Sequence, residues 1–124
     1  MMEFIRHLHR TYQNSCNGLK KAWHLEWAFR VELVVFICSV PAAIFLGSAA
    51  AEYILLIGSL LLILIMELFN SAIEATVDRI GREHHELSGR AKDLASAAVL
   101  VAIINAVITW GLIFVYWILS HTGG

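Results

Sequence analysis

Residues 53–81 read YILLIGSLLLILIMELFNSAIEATVDRIG, and the change of character at Glu67 decides how the chain must fold. No charge occurs from Tyr53 to Met66. Beyond Met66 the apolar residues continue, but carboxylates and an amide enter among them. A helix rising about 1.5 Å per residue needs about 20 residues to cross a hydrocarbon core of about 30 Å. The 14 residues from Tyr53 to Met66 fall short of that. A helix that crosses here must therefore carry Glu67, Asn70 and Glu74 into the bilayer or close to it.

On a helix, Glu67, Asn70, Ser71, Glu74 and Asp78 follow the spacing i, i+3, i+4, i+7, i+11 and share one face. Glu67 and Glu74 lie about 10 Å apart along its axis. Holding an ionised side chain at mid-helix costs about 2.5–3.5 kcal/mol even on the lenient insertion scale. Such groups are expected in a protein cleft, bound to a cation, or protonated. Desolvation raises a carboxylate pKa toward neutrality, which suits a general base. One polar residue of this kind reads as glue between helices, through Asn70 or Ser71. Five on one face read as a functional site.

Two more apolar runs flank this segment. Leu33 to Ala51 carries no charge and contains Pro41, and Leu94 to Ser120 carries no charge either. Hydrophobic residues make up 59% of the chain and charged ones 15%, against roughly 25% charged in a soluble domain. The expectation is one all-α integral membrane domain with three transmembrane helices, 31–51, 53–80 and 94–120. A cytoplasmic loop spans 81–93, and residues 1–30 form an amphipathic surface region. Of the nine Lys and Arg, five precede the first span, four lie between the second and third, and none lies elsewhere. The positive-inside rule then puts the amino terminus in the cytoplasm and the carboxyl terminus outside.

In residues 1–30, Phe4, Ile5 and Leu8 fall at helical spacing beside Arg6 and His9, and Leu19, Trp23 and Trp27 recur every four residues. This reads as a helix in the membrane interface with tryptophans at headgroup level, broken in two at Gly18. The polar, basic start from Met1 to Lys21 has no apolar core of a signal sequence, so no cleavage is expected. Cys16 and Cys38 are expected as two free thiols. A net charge of −1 gives no basis for bulk binding to nucleic acid. CxxC, HExxH, Walker A and kinase-type Gly-rich patterns are all missing, so a nucleotide would have to be held in another way.

Glu26 has two readings. It can pair with Arg30, four residues on, or it can face the acidic stripe as a second carboxylate for a divalent cation, since Mg²⁺ is held by one or two carboxylates plus substrate phosphates. The segment from Arg82 to Asp93, REHHELSGRAKD, taken alone is a solvated charged turn. Its position directly after the stripe gives its Lys, Arg and carboxylates a use on phosphate or metal.

The stretch ELFNSAIEATVDRIG resembles the signature E-x-x-N-[ST]-[AS]-[IVL]-E-x-x-V-D of the prokaryotic diacylglycerol kinase family. HHELSGRAKDLASAAVL and GLKKAWHLEWAFRVE resemble its neighbouring segments, and the similarity runs from Asn14 to Trp117. The resemblance implies a homotrimer whose subunits share active sites. It also implies transfer of the γ-phosphate of ATP to a lipid alcohol at the cytoplasmic face, with Mg²⁺. It makes Glu67 the general base, assisted by Asn70, and Glu26 and Glu74 the metal ligands. It makes Arg6, Asn14, Glu26, Glu74, Glu83, His84, His85, Lys92 and Asp93 nucleotide contacts. On the lipid side it places Glu67, Ser96, Trp110, Ala28, Arg30 and Glu32. The amino terminus departs from the pattern: Arg6 matches only with one inserted residue, His7 without it, and Asn14 stands where an aromatic residue is common.

The expected substrate is 1,2-diacylglycerol, with undecaprenol the alternative within the family. The HELSGRAKD segment resembles the diacylglycerol branch of Gram-negative bacteria, which implies the inner membrane. A small cation or proton transporter would also use intramembrane carboxylates, but it needs polar groups through the full depth, and here they cluster at one end. A structural membrane adaptor would tolerate Glu67→Gln.

Overall fold

The computed structural model describes residues 1–123 as four helices in sequence: α1 (Met2–Leu25), α2 (Trp27–Leu46), α3 (Ala50–Ile80) and α4 (Glu86–Thr122). The last three are each long and apolar enough to cross a membrane. The protein is thus all-helical, with three membrane helices and an amphipathic amino-terminal one.

α1 is one helix, not two. Gly18 costs helix stability, but glycine ends a helix by adopting a left-handed conformation, and none of the described glycines does so. The break falls at Glu26, whose backbone is extended (φ −105°, ψ 107°). Its N–H still donates to the Ala22 carbonyl at 2.9 Å, and its carbonyl accepts from the Arg30 N–H at 3.3 Å. One residue therefore closes α1 and opens α2, making a tight elbow.

α2 contains Pro41 and continues through it, as membrane helices allow. It stops at Leu46, earlier than the end of the apolar run. Gly47 is extended, and Ala50 and Ala51 open α3 instead of closing the first span. The polar groups of the turn explain this. Glu52 accepts from the Ser48 N–H (2.7 Å) and hydroxyl (2.9 Å), and Tyr53 Oη donates to the Gly47 carbonyl at 2.6 Å. Hydropathy alone cannot place a turn whose anchors lie on its far side.

α3 has 31 residues, about 46 Å, so it extends beyond a hydrocarbon core and carries the acidic stripe on its final third. α4 starts at Glu86, and the non-helical connection is only residues 81–85. Glu86 to Asp93, expected in the loop, is helical. His85 Nδ1 accepts from the Leu87 N–H at 3.1 Å and caps this end.

α3 and α4 make the most extensive pairing. Ala95, Ala102 and Ala106 are buried on the α4 side, small residues that let backbones approach. Trp110 Nε1 donates to the Leu56 carbonyl at 3.2 Å across this interface. Ala22, Phe29 and Leu64 form a second cluster where α1, α2 and α3 meet, with Leu33, Phe36 and Leu68 against it. Elsewhere the large apolar side chains, among them Ile54, Phe69, Leu94 and Val107, point outward. That pattern suits hydrocarbon as the surrounding solvent.

Candidate active site

Glu67 sits on α3 just beyond the Ala22–Phe29–Leu64 cluster. It is 6% exposed, the one buried ionisable side chain among the described residues. Glu74, two turns on, is half-buried, and Asp78 is exposed. Depth thus falls along the stripe, although α3 stays packed to its end, where Val77 is buried.

The elbow brings other carboxylates to the stripe. The charges acting on Glu67 are those of Glu74 and then Glu26, with the Asn70 side chain beside it. Glu32, on the first turns of α2, lies near enough for the charge of Glu67 to act on it. Glu26 makes no ion pair with Arg30; the ion pair among the described residues is Lys92–Asp78. Of the two readings open for Glu26, the structure shows the carboxylate near the stripe.

Acceptors outnumber donors here. Glu32 Oε2 and Asn70 Oδ1 are buried with no hydrogen-bond partner in the chain. Buried acceptors of this kind are normally paired, and a carboxylate can only accept while ionised. What complements such acceptors is a hydroxyl that donates, or a cation. Among the described residues, no three His, Cys, Asp or Glu side chains converge on one point.

Two clefts flank the cluster. An apolar groove of about 510 Å³ runs along Leu19, Trp23, Phe29, Leu33, Leu64 and Leu68, with Lys20 and His24 at its rim. At the α3–α4 turn lies a polar cleft of about 510 Å³, lined by Asp78, Arg82, Glu83, His84, His85 and Lys92 among others. Lys92 Nζ donates to Asp78 Oδ1 at 2.6 Å and ties its walls together. Asp78 is one turn from Glu74, so this cleft adjoins the stripe.

The expected residues divide accordingly. Glu26, Glu32, Glu67, Asn70 and Glu74 gather at the elbow, and Glu83, His84, His85 and Lys92 line the polar cleft. Arg6 and Asn14 are exposed on α1, and Asp93 and Ser96 are exposed near the start of α4. Ala28 is half-buried. Trp110 hydrogen-bonds at the level of Leu56, eleven residues and about 16 Å along α3 from Glu67. Arg30 points to the end of α1. The Asp78–Lys92 tie was not read from the sequence, although both residues were singled out. Its signal was opposite charge on either side of a short turn.

Fold and site define a membrane-embedded helical protein with a stripe of carboxylates on α3 near an apolar groove and a polar cleft. The family model described as prokaryotic diacylglycerol kinase matches residues 13–114. The chain is 55% identical over 109 residues to the diacylglycerol kinase of Escherichia coli K12, covering 88% of this chain and 86% of the relative. Identity to the diacylglycerol kinase of Haemophilus influenzae is 48% over 107 residues (86% and 91%), and to that of Pseudomonas aeruginosa 44% over 99 residues (80% of each). The chain belongs to the prokaryotic diacylglycerol kinase family, and is an enzyme of the kinase class.

Proposed function

We propose that this enzyme transfers the γ-phosphate of ATP to the free hydroxyl of 1,2-diacylglycerol, yielding phosphatidic acid and ADP. The observation that carries this reading is the position of Glu67, a buried carboxylate on the same helix as Leu64 and Leu68 of the apolar groove, with the unpaired acceptors of Asn70 and Glu32 on α3 and α2. A diacylglycerol with its chains along the groove presents its hydroxyl to an acceptor-rich pocket. Glu67 takes the hydroxyl proton, the oxygen forms a bond to the γ-phosphorus, and the bond to the β-phosphate oxygen breaks in line. Asn70 orients the carboxylate. The polar cleft, with Lys92 and Arg82, receives the nucleotide phosphates.

The donor set fits Mg²⁺. Glu26 and Glu74, whose charges both act on Glu67, offer hard carboxylate oxygens, and nucleotide phosphates complete such a set. When bound, the ion neutralises charge on the phosphates. Glu26 and Glu74 would hold it, leaving Glu67 for the proton.

The same reading places α1 in the cytoplasmic interface, α2, α3 and α4 across the bacterial inner membrane, and the carboxyl terminus outside. The nine-to-none distribution of Lys and Arg supports this orientation. A homotrimer with shared sites follows from the family resemblance, and the outward apolar faces are available for it. Substrate choice is tested by measuring radiolabelled phosphate transfer to dioleoylglycerol and to undecaprenol in mixed micelles. Preferential labelling of dioleoylglycerol supports the proposal; preferential labelling of undecaprenol makes the enzyme an undecaprenol kinase.

A further inference from the structure

Arg30 lies one turn past the break at Glu26, a spacing at which an ion pair is expected. Its guanidinium turns away from that carboxylate. Arg30 Nη1 donates to the Trp23 carbonyl at 3.1 Å and to the His24 carbonyl at 3.2 Å. The end of a helix leaves its last carbonyls without partners. Ala22 O is taken by the Glu26 N–H, and Trp23 and His24 hold the next two. The side chain thus reaches back across the elbow to fill the vacancies, with its charge at the negative end of the α1 dipole. Its own N–H holds the Glu26 carbonyl, so Arg30 grips the chain on both sides of Glu26.

Little else fixes this angle. Ala22 is the one buried residue of α1, and the rest of the helix is exposed or, at Cys16, half-buried. One extended residue between two helices leaves two soft backbone torsions to be set by outside contacts. The Ala22–Phe29–Leu64 cluster supplies apolar contact, and Arg30 supplies the directional bonds. Glu26 is the residue whose placement depends on them.

We propose that Arg30 is a positioning residue: by clamping the end of α1 to the first turn of α2, it holds the Glu26 carboxylate against Glu67 and Glu74 for the divalent cation and leaves that carboxylate unpaired. The proposal rests on the reading of Glu26 as a cation ligand. It differs from a direct contact with the lipid, which would act on lipid affinity. Both bonds come from the one Nη1 of a planar guanidinium, and a lysine keeps the charge on a flexible stem without that preorganised geometry.

The test uses the full chain in lipid nanodiscs, as wild type, Arg30→Lys, Arg30→Ala and Glu26→Gln. Two readouts are independent of turnover. Spin labels on the two native free thiols, Cys16 on α1 and Cys38 on α2, report the elbow angle as a distance distribution. Mn²⁺, titrated with a non-hydrolysable ATP analogue, reports cation affinity by its own resonance. Both Arg30 variants should broaden the distance distribution, and Arg30→Ala should weaken Mn²⁺ by about 10–100-fold, as loss of a supporting group does at metal sites. Half-saturating dioleoylglycerol should not change. Arg30→Lys, which keeps the charge, carries the test if the alanine variant does not fold. Distances like wild type in both variants overturn the clamp, as does a rise in half-saturating lipid with Mn²⁺ affinity intact. Unchanged Mn²⁺ affinity in Glu26→Gln, with broadened distances in the Arg30 variants, overturns the premise about Glu26 instead.

Discussion

Lys92 and Asp78 show how a surface contact can matter to chemistry while adding little to stability. Both side chains of the pair are near half exposure, and exposed ion pairs contribute little net free energy. Lys92→Ala should therefore leave the thermal midpoint close to that of wild type while raising the KM for ATP, because the polar cleft loses a cation. Calorimetry and steady-state kinetics on the same sample check both halves. Glu74→Gln should act differently, raising the Mg²⁺ needed for half-maximal turnover more than it raises the KM for lipid. At this scale the sequence was most legible along α3. Helical spacing alone put Glu67, Asn70, Glu74 and Asp78 on one face, and burial then follows their order. Glu32 was not legible from spacing: it lies on α2, and the packing of α2 against α3 brings it near Glu67. The Glu26–Arg30 pair, one of two readings left open for Glu26, is absent for a related reason. An i, i+4 pair presumes one continuous helix at Glu26, and the chain is extended there.

Gly18 separates what a residue prefers from what an element does. The helix passes through it without a left-handed turn, and a β-carbon there would meet no atom within 4 Å. Gly18→Ala should therefore stabilise α1 by about 0.5–1 kcal/mol, seen as slower amide hydrogen exchange over Met2–Leu25. Faster exchange would mean that glycine serves some need there. The α3–α4 pair is locked differently. Trp110→Phe removes the bond to the Leu56 carbonyl and should lower stability by about 0.6 kcal/mol, the average for such bonds between membrane helices. Unfolding in mixed micelles measures it. Three membrane helices were readable from hydropathy because each presents an unbroken apolar run. Their ends were not. Glu52 and Tyr53 set the end of α2 from across the turn, and His85 starts α4 inside a charged segment that reads as loop.

For the whole molecule, the governing fact is that its apolar side chains face outward. Few residues lie inside, among them Ala22, Phe29, Leu56, Leu64 and the three alanines of α4, so hydrocarbon is the solvent for much of the rest. The distribution of Lys and Arg predicts which end faces which compartment. In a chain whose native cysteines are changed to serine, Gln13→Cys should resist a membrane-impermeant maleimide in intact spheroplasts, and Thr122→Cys should react. The reverse pattern would invert the topology and place the carboxylates away from cytoplasmic ATP. Assembly was the least legible level, since a periodic pattern marks a face as apolar without naming what meets it.

The central claim is that Glu67 takes a proton from a lipid hydroxyl within an Mg²⁺-dependent phosphoryl transfer. The direct measurement is Mg²⁺-dependent ATP turnover, with and without dioleoylglycerol, for wild type and for Glu67→Gln with its helical content verified. Stimulation of the wild type by the lipid, and a loss of about 10²–10⁴-fold in the variant, is the result expected of a general base. Full turnover by folded Glu67→Gln, or no stimulation of the wild type by any lipid alcohol, would contradict the assignment of the site.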